Sequence, residues 1–258
     1  MNRQKFKMAL LLISMTWFIA GCATAPVAMS SNPANPIKRV AILPMLDNSD
    51  DVDAPTRIRD EFFNRLGRYH YDIQPLAETN ELLNFQMGIT MGKQYDQATP
   101  QEIGKTLGVD GLFYGYLLDF DEVTTGFVNS YKVRMGWKLV DTKTGKVSWG
   151  KGVAVRRTQS IGNLAGAAHA VGSATDQVGL TESEKVEVMP GSKDPMNEMP
   201  GLDKWISMGD KSSSLAGGLV GGLMGKVGGG IMGNSLKNEI KFAYDNLFPT
   251  MLVGPVVK

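Results

Sequence analysis

Val109-Asp110-Gly111-Leu112-Phe113-Tyr114-Gly115-Tyr116-Leu117-Leu118, Tyr131-Lys132-Val133-Arg134-Met135-Gly136-Trp137-Lys138-Leu139-Val140 and Val147-Ser148-Trp149-Gly150-Lys151-Gly152-Val153-Ala154-Val155 are three apolar-rich runs, and their reading decides the fold. In the middle run Tyr131, Val133, Met135, Trp137 and Leu139 alternate with Lys132, Arg134 and Lys138. That period of two predicts a strand with one face buried and one face polar. Between the second and third runs stands Asp141-Thr142-Lys143-Thr144-Gly145-Lys146. Asp141 can accept from backbone amides ahead of it and Gly145 can take a positive φ, so the two runs form a hairpin. Three consecutive antiparallel strands are predicted, without catalytic residues of their own.

Upstream, Arg39-Val40-Ala41-Ile42-Leu43-Pro44 is a short apolar run closed by proline, as in a buried strand. A helix is predicted from about Pro55, with Ile58, Phe62 and Leu66 on one face. Asp53 is its expected cap. Tyr71-Asp72-Ile73-Gln74 is a second strand, and a second helix spans about Leu76 to Met87 with Leu82, Leu83 and Phe85 as core residues. Thr99-Pro100-Gln101-Glu102 has the form of a capping box and opens a third helix, which Gly108 stops. Downstream, Leu236, Ile240, Ala243, Tyr244 and Leu247 recur at helical spacing, with Asn234 or Ser235 as the expected cap. The apolar tail from Phe248 through Gly254-Pro255 is expected to fold back on the domain.

The order β-α-β-α-α-β-β-β-α defines the expected fold class: a single α/β domain on a mixed sheet. Helical crossovers make the early strands parallel, and short loops make the later ones antiparallel.

The amino terminus points to a location. Arg3, Lys5 and Lys7 precede an apolar run from Met8 to Ala20, too short for a membrane span. The run ends Ile19-Ala20-Gly21-Cys22. Small residues before a cysteine form a bacterial lipobox, so residues 1–21 read as a lipoprotein signal peptide and Cys22 as the lipid attachment site. Cys22 is the only cysteine, leaving no partner for a disulfide. Several buried acyl chains anchor a protein stably without a transmembrane helix. Ala23 stands where an inner-membrane retention signal would place Asp, which points to the outer membrane and its periplasmic face. Residues 22–37 read as a flexible tether, and residues 38–258 as the domain. Without Arg3, Lys5 and Lys7 the 27 basic residues fall to 24, against 26 acidic. That balance argues against nucleic acid as a partner.

Between the meander and the last helix the composition changes. Residues from about 160 to 213 read as a polar, partly disordered insertion, with Trp205-Ile206 as its one apolar point, able to dock a short helix. Then Gly217, Gly221, Gly225, Gly229 and Gly233 recur every fourth residue. On a helix they form a stripe without Cβ atoms, which lets another backbone approach closely, so they are the candidate self-association residues. Gly162, Gly166, Ala170 and Ala174 repeat the spacing. Two other readings fit the nine glycines between 215 and 233: a flexible loop, since each glycine opposes helix by up to ~1 kcal/mol, or a membrane-active segment carrying Lys226.

Chemistry-bearing motifs are sparse. His70 and His169 lack metal-type spacing, and His70 reads as a half-buried structural imidazole. The acidic loop Asp47–Asp53 has Val52 where a calcium loop needs glycine and Ile58 where it needs glutamate. Gly221–Val227 lacks the Ser or Thr of a phosphate loop. Asp119, Asp121 and Glu122 read as a polar turn at a strand end. No cofactor, metal site or catalytic residue is predicted, and no enzymatic activity.

Several pieces together resemble a known group. Leu43-Pro44-x-Leu46 followed by Asn48-Ser49 and Asp51-Val52 is similar to the first-strand motif of the meningococcal-type outer-membrane lipoprotein family. Gly108-Val109-Asp110-Gly111-Leu112, the hairpin Leu139-Val140-Asp141-x-x-x-Gly145-Lys146-x-x-Trp149, and Ala243-Tyr244-x-x-Leu247 with Gly254-Pro255 also match. The resemblance covers about residues 38–160 and 214–258. The hairpin motif is shared with the curli-secretion lipoprotein CsgG, the penicillin-binding-protein activator LpoB and the TolB amino-terminal domain. It implies a TolB-N-like α/β fold, an outer-membrane anchor, a homo-oligomer and an envelope protein partner, with no enzymatic site. The expected role is a dimerising structural or interaction component of an envelope transport or assembly complex. The alternatives are a CsgG-like export pore and an LpoB-like regulator of a cell-wall enzyme.

Overall fold

In a computed structural model, residues 29–124, 128–160, 195–208 and 236–256 are described. Cys22, the residues Gly217, Gly221, Gly225, Gly229 and Gly233, the pair Asn234 and Ser235, and the repeat Gly162, Gly166, Ala170 and Ala174 all lie outside them.

The elements are β1 (Arg39–Ile42), β2 (Leu46–Asp47), α1 (Ala54–Leu66), β3 (Asp72–Ile73), α2 (Leu76–Met87), a 3-10 helix (Gly92–Gln97) and α3 (Pro100–Leu107). Then follow β4 (Gly111–Thr124), β5 (Val128–Asp141), β6 (Val147–Ser160), α4 (Pro195–Glu198), β7 (Trp205–Ser207), α5 (Lys237–Leu247) and a last 3-10 turn (Phe248–Thr250). The sheet runs β3-β1-β4-β5-β6-β7, with β2 paired to β4 off that path. β1 is parallel to β3 and to β4, while β4, β5 and β6 form an antiparallel meander. The predicted mixed sheet and single α/β domain are what the chain builds.

The meander is longer than its apolar runs. Each of its strands has 14 residues, so Asp119, Asp121 and Glu122 lie within β4 and not in a turn. A bulge between Leu117 and Asp119 explains the misreading. It puts Leu118 and Asp119 on the same face and returns Phe120 to the opposite one, so simple alternation fails at that point.

The turn behaves as its residues require. Asp141 Oδ1 accepts from the amides of Lys143 at 2.8 Å and Thr144 at 2.9 Å, and Gly145 takes φ 69°. The two flanking motifs meet there: the Thr142 amide donates to the Asp110 carbonyl at 2.9 Å, and Thr142 Oγ1 donates to the Val109 carbonyl at 2.9 Å. Asp110 Oδ2 in turn accepts from the Arg39 amide at 3.0 Å. One aspartate thus ties the start of β1 to the lead-in of β4.

Both faces of the sheet are covered. On one, Val133, Met135, Trp137 and Leu139 of β5 pack with Ile58, Phe62 and Leu66 of α1 and with Ala243, Tyr244 and Leu247 of α5. Phe62 stacks on Trp137 with ring centroids 3.8 Å apart. Tyr244 Oη donates to the Ile58 carbonyl at 2.6 Å. The tail folds back as expected, the Gly254 amide donating to the Tyr69 carbonyl at 2.7 Å.

The other face corrects the expectation of a polar, solvated side. Lys138 is only 2% exposed, and Arg134 is buried too. Leu83, Ile103 and Leu107 cover part of this face, and Met199 and Leu202 cover the rest. Lys138 Nζ reaches Glu198 Oε2 at 2.9 Å, and Arg134 pairs with Asp119 and lies over the Trp205 ring. Desolvation pulls the Lys138 ammonium below its usual value, and Glu198 offsets part of that. The β-strand alternation holds, but Arg134 and Lys138 of its polar half are buried through paired charge. Residues 195–208, within the span read as a polar, partly disordered insertion, supply this cover.

Four smaller expectations change. Trp205 and Ile206 form a strand, pairing parallel with Ala154 and Val155, because the outer edge of β6 offers backbone groups that need partners. Phe85 is 86% exposed and not in the core. Asp53 stands at the α1 cap without a side-chain bond; Asp51 Oδ1 accepts instead from the Asp53 and Ala54 amides at 3.0 and 2.9 Å. The α5 cap position is Leu236, at φ 66°, with no side-chain cap. The Thr99 capping box forms as predicted, and Gly108 closes α3 at φ 66°.

Candidate functional site at the carboxyl end of the parallel strands

Parallel strands leave their carboxyl ends open to a crevice where successive connections diverge. In this fold β1 lies between β3 and β4, and its carboxyl end runs into Pro44 and Met45. A cleft of about 390 Å³ opens there. Its walls are Pro44, Met45 and Asp47 on one side, Pro55, Thr56 and Arg59 from α1, Asn80 from α2, and Thr90 to Lys93. A Cβ on Gly92 would stand 2.5 Å from the Met45 carbonyl oxygen, so only glycine lets this wall close against the strand end. Of the first-strand stretch singled out in the sequence, Leu43 to Asp51, Pro44, Met45 and Asp47 line the cleft.

At its base lies Arg59, 8% exposed. Nε and Nη2 donate to the Ile42 carbonyl at 3.2 and 2.6 Å, and Nη1 donates to Asn80 Oδ1 at 2.8 Å. Both acceptors are neutral. No carboxylate lies in ion-pair range of Arg59 among the described residues. Burial draws the guanidinium below its usual value, with the nearby Tyr95 and Asp60 acting in the opposite direction. The Tyr95 hydroxyl donates to the Pro44 carbonyl, and burial raises its own pKa well above the ordinary tyrosine value. Asp47 Oδ1 accepts from the Ser49 amide and hydroxyl at 2.8 and 2.7 Å, which holds that carboxylate in its own turn.

Sequence reasoning missed Arg59. A signal was present: 55, 59, 62 and 66 share a helix face, so a charged residue stood on the stripe that Phe62 and Leu66 bury. The residues that the sequence did single out are not gathered here. Cys22, the glycines from Gly217 to Gly233 and His169 lie outside the described residues, and His70 is half-buried at φ 59° beside the tail. Asp119 is engaged by Arg134. Among the described residues no group of three His, Cys, Asp or Glu side chains could hold a metal, and no helix is long and apolar enough to cross a membrane.

Fold and cleft define a mixed-sheet α/β domain whose open strand ends carry a binding-type crevice lined by one buried cation. The chain belongs to the GNA1162-like lipoprotein family, whose model matches residues 29–193. The matched span takes in part of the middle segment and ends before residue 214, where the sequence resemblance had skipped the middle segment and included 214–258. Among solved structures the chain is similar to lipoprotein GNA1162 from Neisseria meningitidis, at 20% identity over 55% of this chain and 98% of that one, with a TM-score of 0.44. It is also similar to the LpoB C-terminal domain from Salmonella enterica, at 11% identity over 56% and 92%, TM-score 0.34. A third is the PelC dodecamer from Paraburkholderia phytofirmans, at 14% identity over 55% and 86%, TM-score 0.33. Comparison with curated proteins gives no match.

Proposed function

We propose that this lipoprotein is a non-enzymatic module, anchored through lipid on Cys22 to the periplasmic face of the outer membrane, which self-associates and serves an envelope transport or assembly complex. Residues 1–21 are the leader and 22–37 the tether, whose last part is docked and not free: Asn35 and Ile37 are buried, and Asn35 Nδ2 donates to the Val253 carbonyl at 2.9 Å. Residues 38–258 are the functional domain. The membership of residues 29–193 in a lipoprotein family carries this reading. The leader ending Ala20-Gly21-Cys22 supports it. The sheet adds support of a second kind: its ionisable groups in the second face, Lys138 with Glu198 and Arg134 with Asp119, join one element to another.

Labelled palmitate fed to cells should enter the wild-type chain and not Cys22→Ser, and the wild type should sediment with outer membrane. Label in Cys22→Ser, or a soluble wild type, would refute the anchor. Carbonate should release Cys22→Ser from membranes; retention would point to an inserted export pore. In-cell cross-linking should trap homo-oligomers and an envelope protein. Gly221→Leu with Gly225→Leu should abolish self-association or folding, whereas wild-type elution and melting would sink the role given to the glycine stripe.

A further inference from the structure

Arg59 is a charge taken out of water with no carboxylate in ion-pair contact among the described residues. Such an arrangement is costly, and buried charges in proteins are ordinarily paired. Its three hydrogen bonds go to the Ile42 carbonyl and the Asn80 amide oxygen, both neutral. A guanidinium has five N–H groups, so one on each of the two Nη atoms is left over. Arg59 lines a cleft of about 390 Å³, in the size range of small-molecule sites. Two further features favour negative charge there. Pro55 and Thr56, in the first turn of the 13-residue helix α1, line the cleft, and its positive dipole end is at that turn. Lys93 lines the opposite wall. Asp47 is the one acidic side chain in the lining, and its Oδ1 is committed to Ser49.

We infer that the cleft between the end of β1, the start of α1 and the Thr90–Lys93 turn binds a small oxyanion, a carboxylate or phosphate group, with Arg59 as its principal ligand. A planar fork with spare N–H groups on both Nη atoms suits either group, and an ammonium would not. Ile42 and Asn80 hold the guanidinium in place, so the site is set before the anion arrives. The assignment concerns a ligand site and does not depend on the assembly role proposed above.

The test uses the full lipidated chain in detergent and isothermal titration calorimetry. Succinate and inorganic phosphate are titrated separately, against sodium chloride at matched ionic strength and succinamide as the uncharged analogue. One equivalent of succinate or of phosphate should bind saturably, while chloride and succinamide should not. Saturation with succinate alone assigns a carboxylate ligand; saturation with phosphate alone assigns a free phosphate or a phosphate ester. Arg59→Lys should weaken binding by at least about tenfold, since it removes the paired contact. Asn80→Asp keeps the side-chain shape and places a carboxylate beside Nη1. It should raise the melting temperature without anion and abolish saturable binding. Heats no larger than those of chloride for both anions would overturn the assignment, as would wild-type affinity in a folded Asn80→Asp chain.

Discussion

Replacing Arg157 by methionine isolates one buried ion pair. Arg157 on β6 pairs with Glu239 on α5, whose side chain is 1% exposed, and the guanidinium also lies over the Tyr131 ring at 4.2 Å. Methionine keeps most of the stem but leaves the Glu239 carboxylate buried without its counter-ion. Breaking one half of a buried pair costs about 3–5 kcal/mol. Losing the ring contact adds about 0.5–1 kcal/mol. Glu239 stands in the first turn of α5, where the helix dipole returns about 0.3–1 kcal/mol. The net loss is about 3–5 kcal/mol, and at about 2–4 °C per kcal/mol for a domain of this size the melting temperature should fall by about 6–20 °C. Circular dichroism melting at pH 7 reads it. Adding Glu239→Gln removes the stranded charge while keeping an acceptor, so the double variant should recover most of the loss. A fall below about 2 °C, or a double variant no better than the single one, would refute the view that this pair staples α5 to the sheet.

Phe62→Ala removes the ring stacked on Trp137 and should cost about 3–5 kcal/mol, seen as a lower urea midpoint with little change in slope. Gly150→Ala would place a Cβ 1.8 Å from the Glu198 carbonyl oxygen, so residues 195–208 must lift away from β6. A cost of about 1–3 kcal/mol is expected, with faster proteolysis within 195–208; an unchanged cleavage rate would contradict the covering role. Glu102 accepts from the Thr99 amide and hydroxyl, which hold its carboxyl below the usual 4.5. Its folded pKa is depressed, so its stabilisation is present above pH 4.5 and is lost as pH falls through the folded value. Glu102→Gln should therefore flatten that part of the acid limb of the melting profile, and an identical limb would count against the capping box.

Local patterns were legible wherever one residue type has one physical use. The helix of Leu76 to Met87, the Thr99 box, the Asp141–Gly145 turn and the stop at Gly108 all follow from neighbours within a few positions. Phe85 failed because an apolar residue reads as core unless the neighbouring helices are known, and none reaches it. Asp119 failed because a bulge changes side-chain parity without leaving a mark in composition. Arg59 was overlooked because a single arginine on an apolar helix stripe reads as a long side chain reaching water; only the fold shows that it ends beneath Asn80 and Ile42.

The sequence by itself determined the order of strands and helices, the meander and its turn, and the resemblance to a lipoprotein family. These rest on periodicity, on the φ that glycine alone takes freely, and on short-range hydrogen bonding. Only the tertiary structure decided that the polar face of β5 is buried, because Met199, Leu202 and Glu198 come from some 60 residues downstream of Lys138. It also decided that the end of β1, α1, α2 and the Thr90–Lys93 turn line one cleft around a cation without a carboxylate partner among the described residues. Burial and charge pairing are properties of what lies across the fold from a residue, and neighbours in the chain do not carry that information.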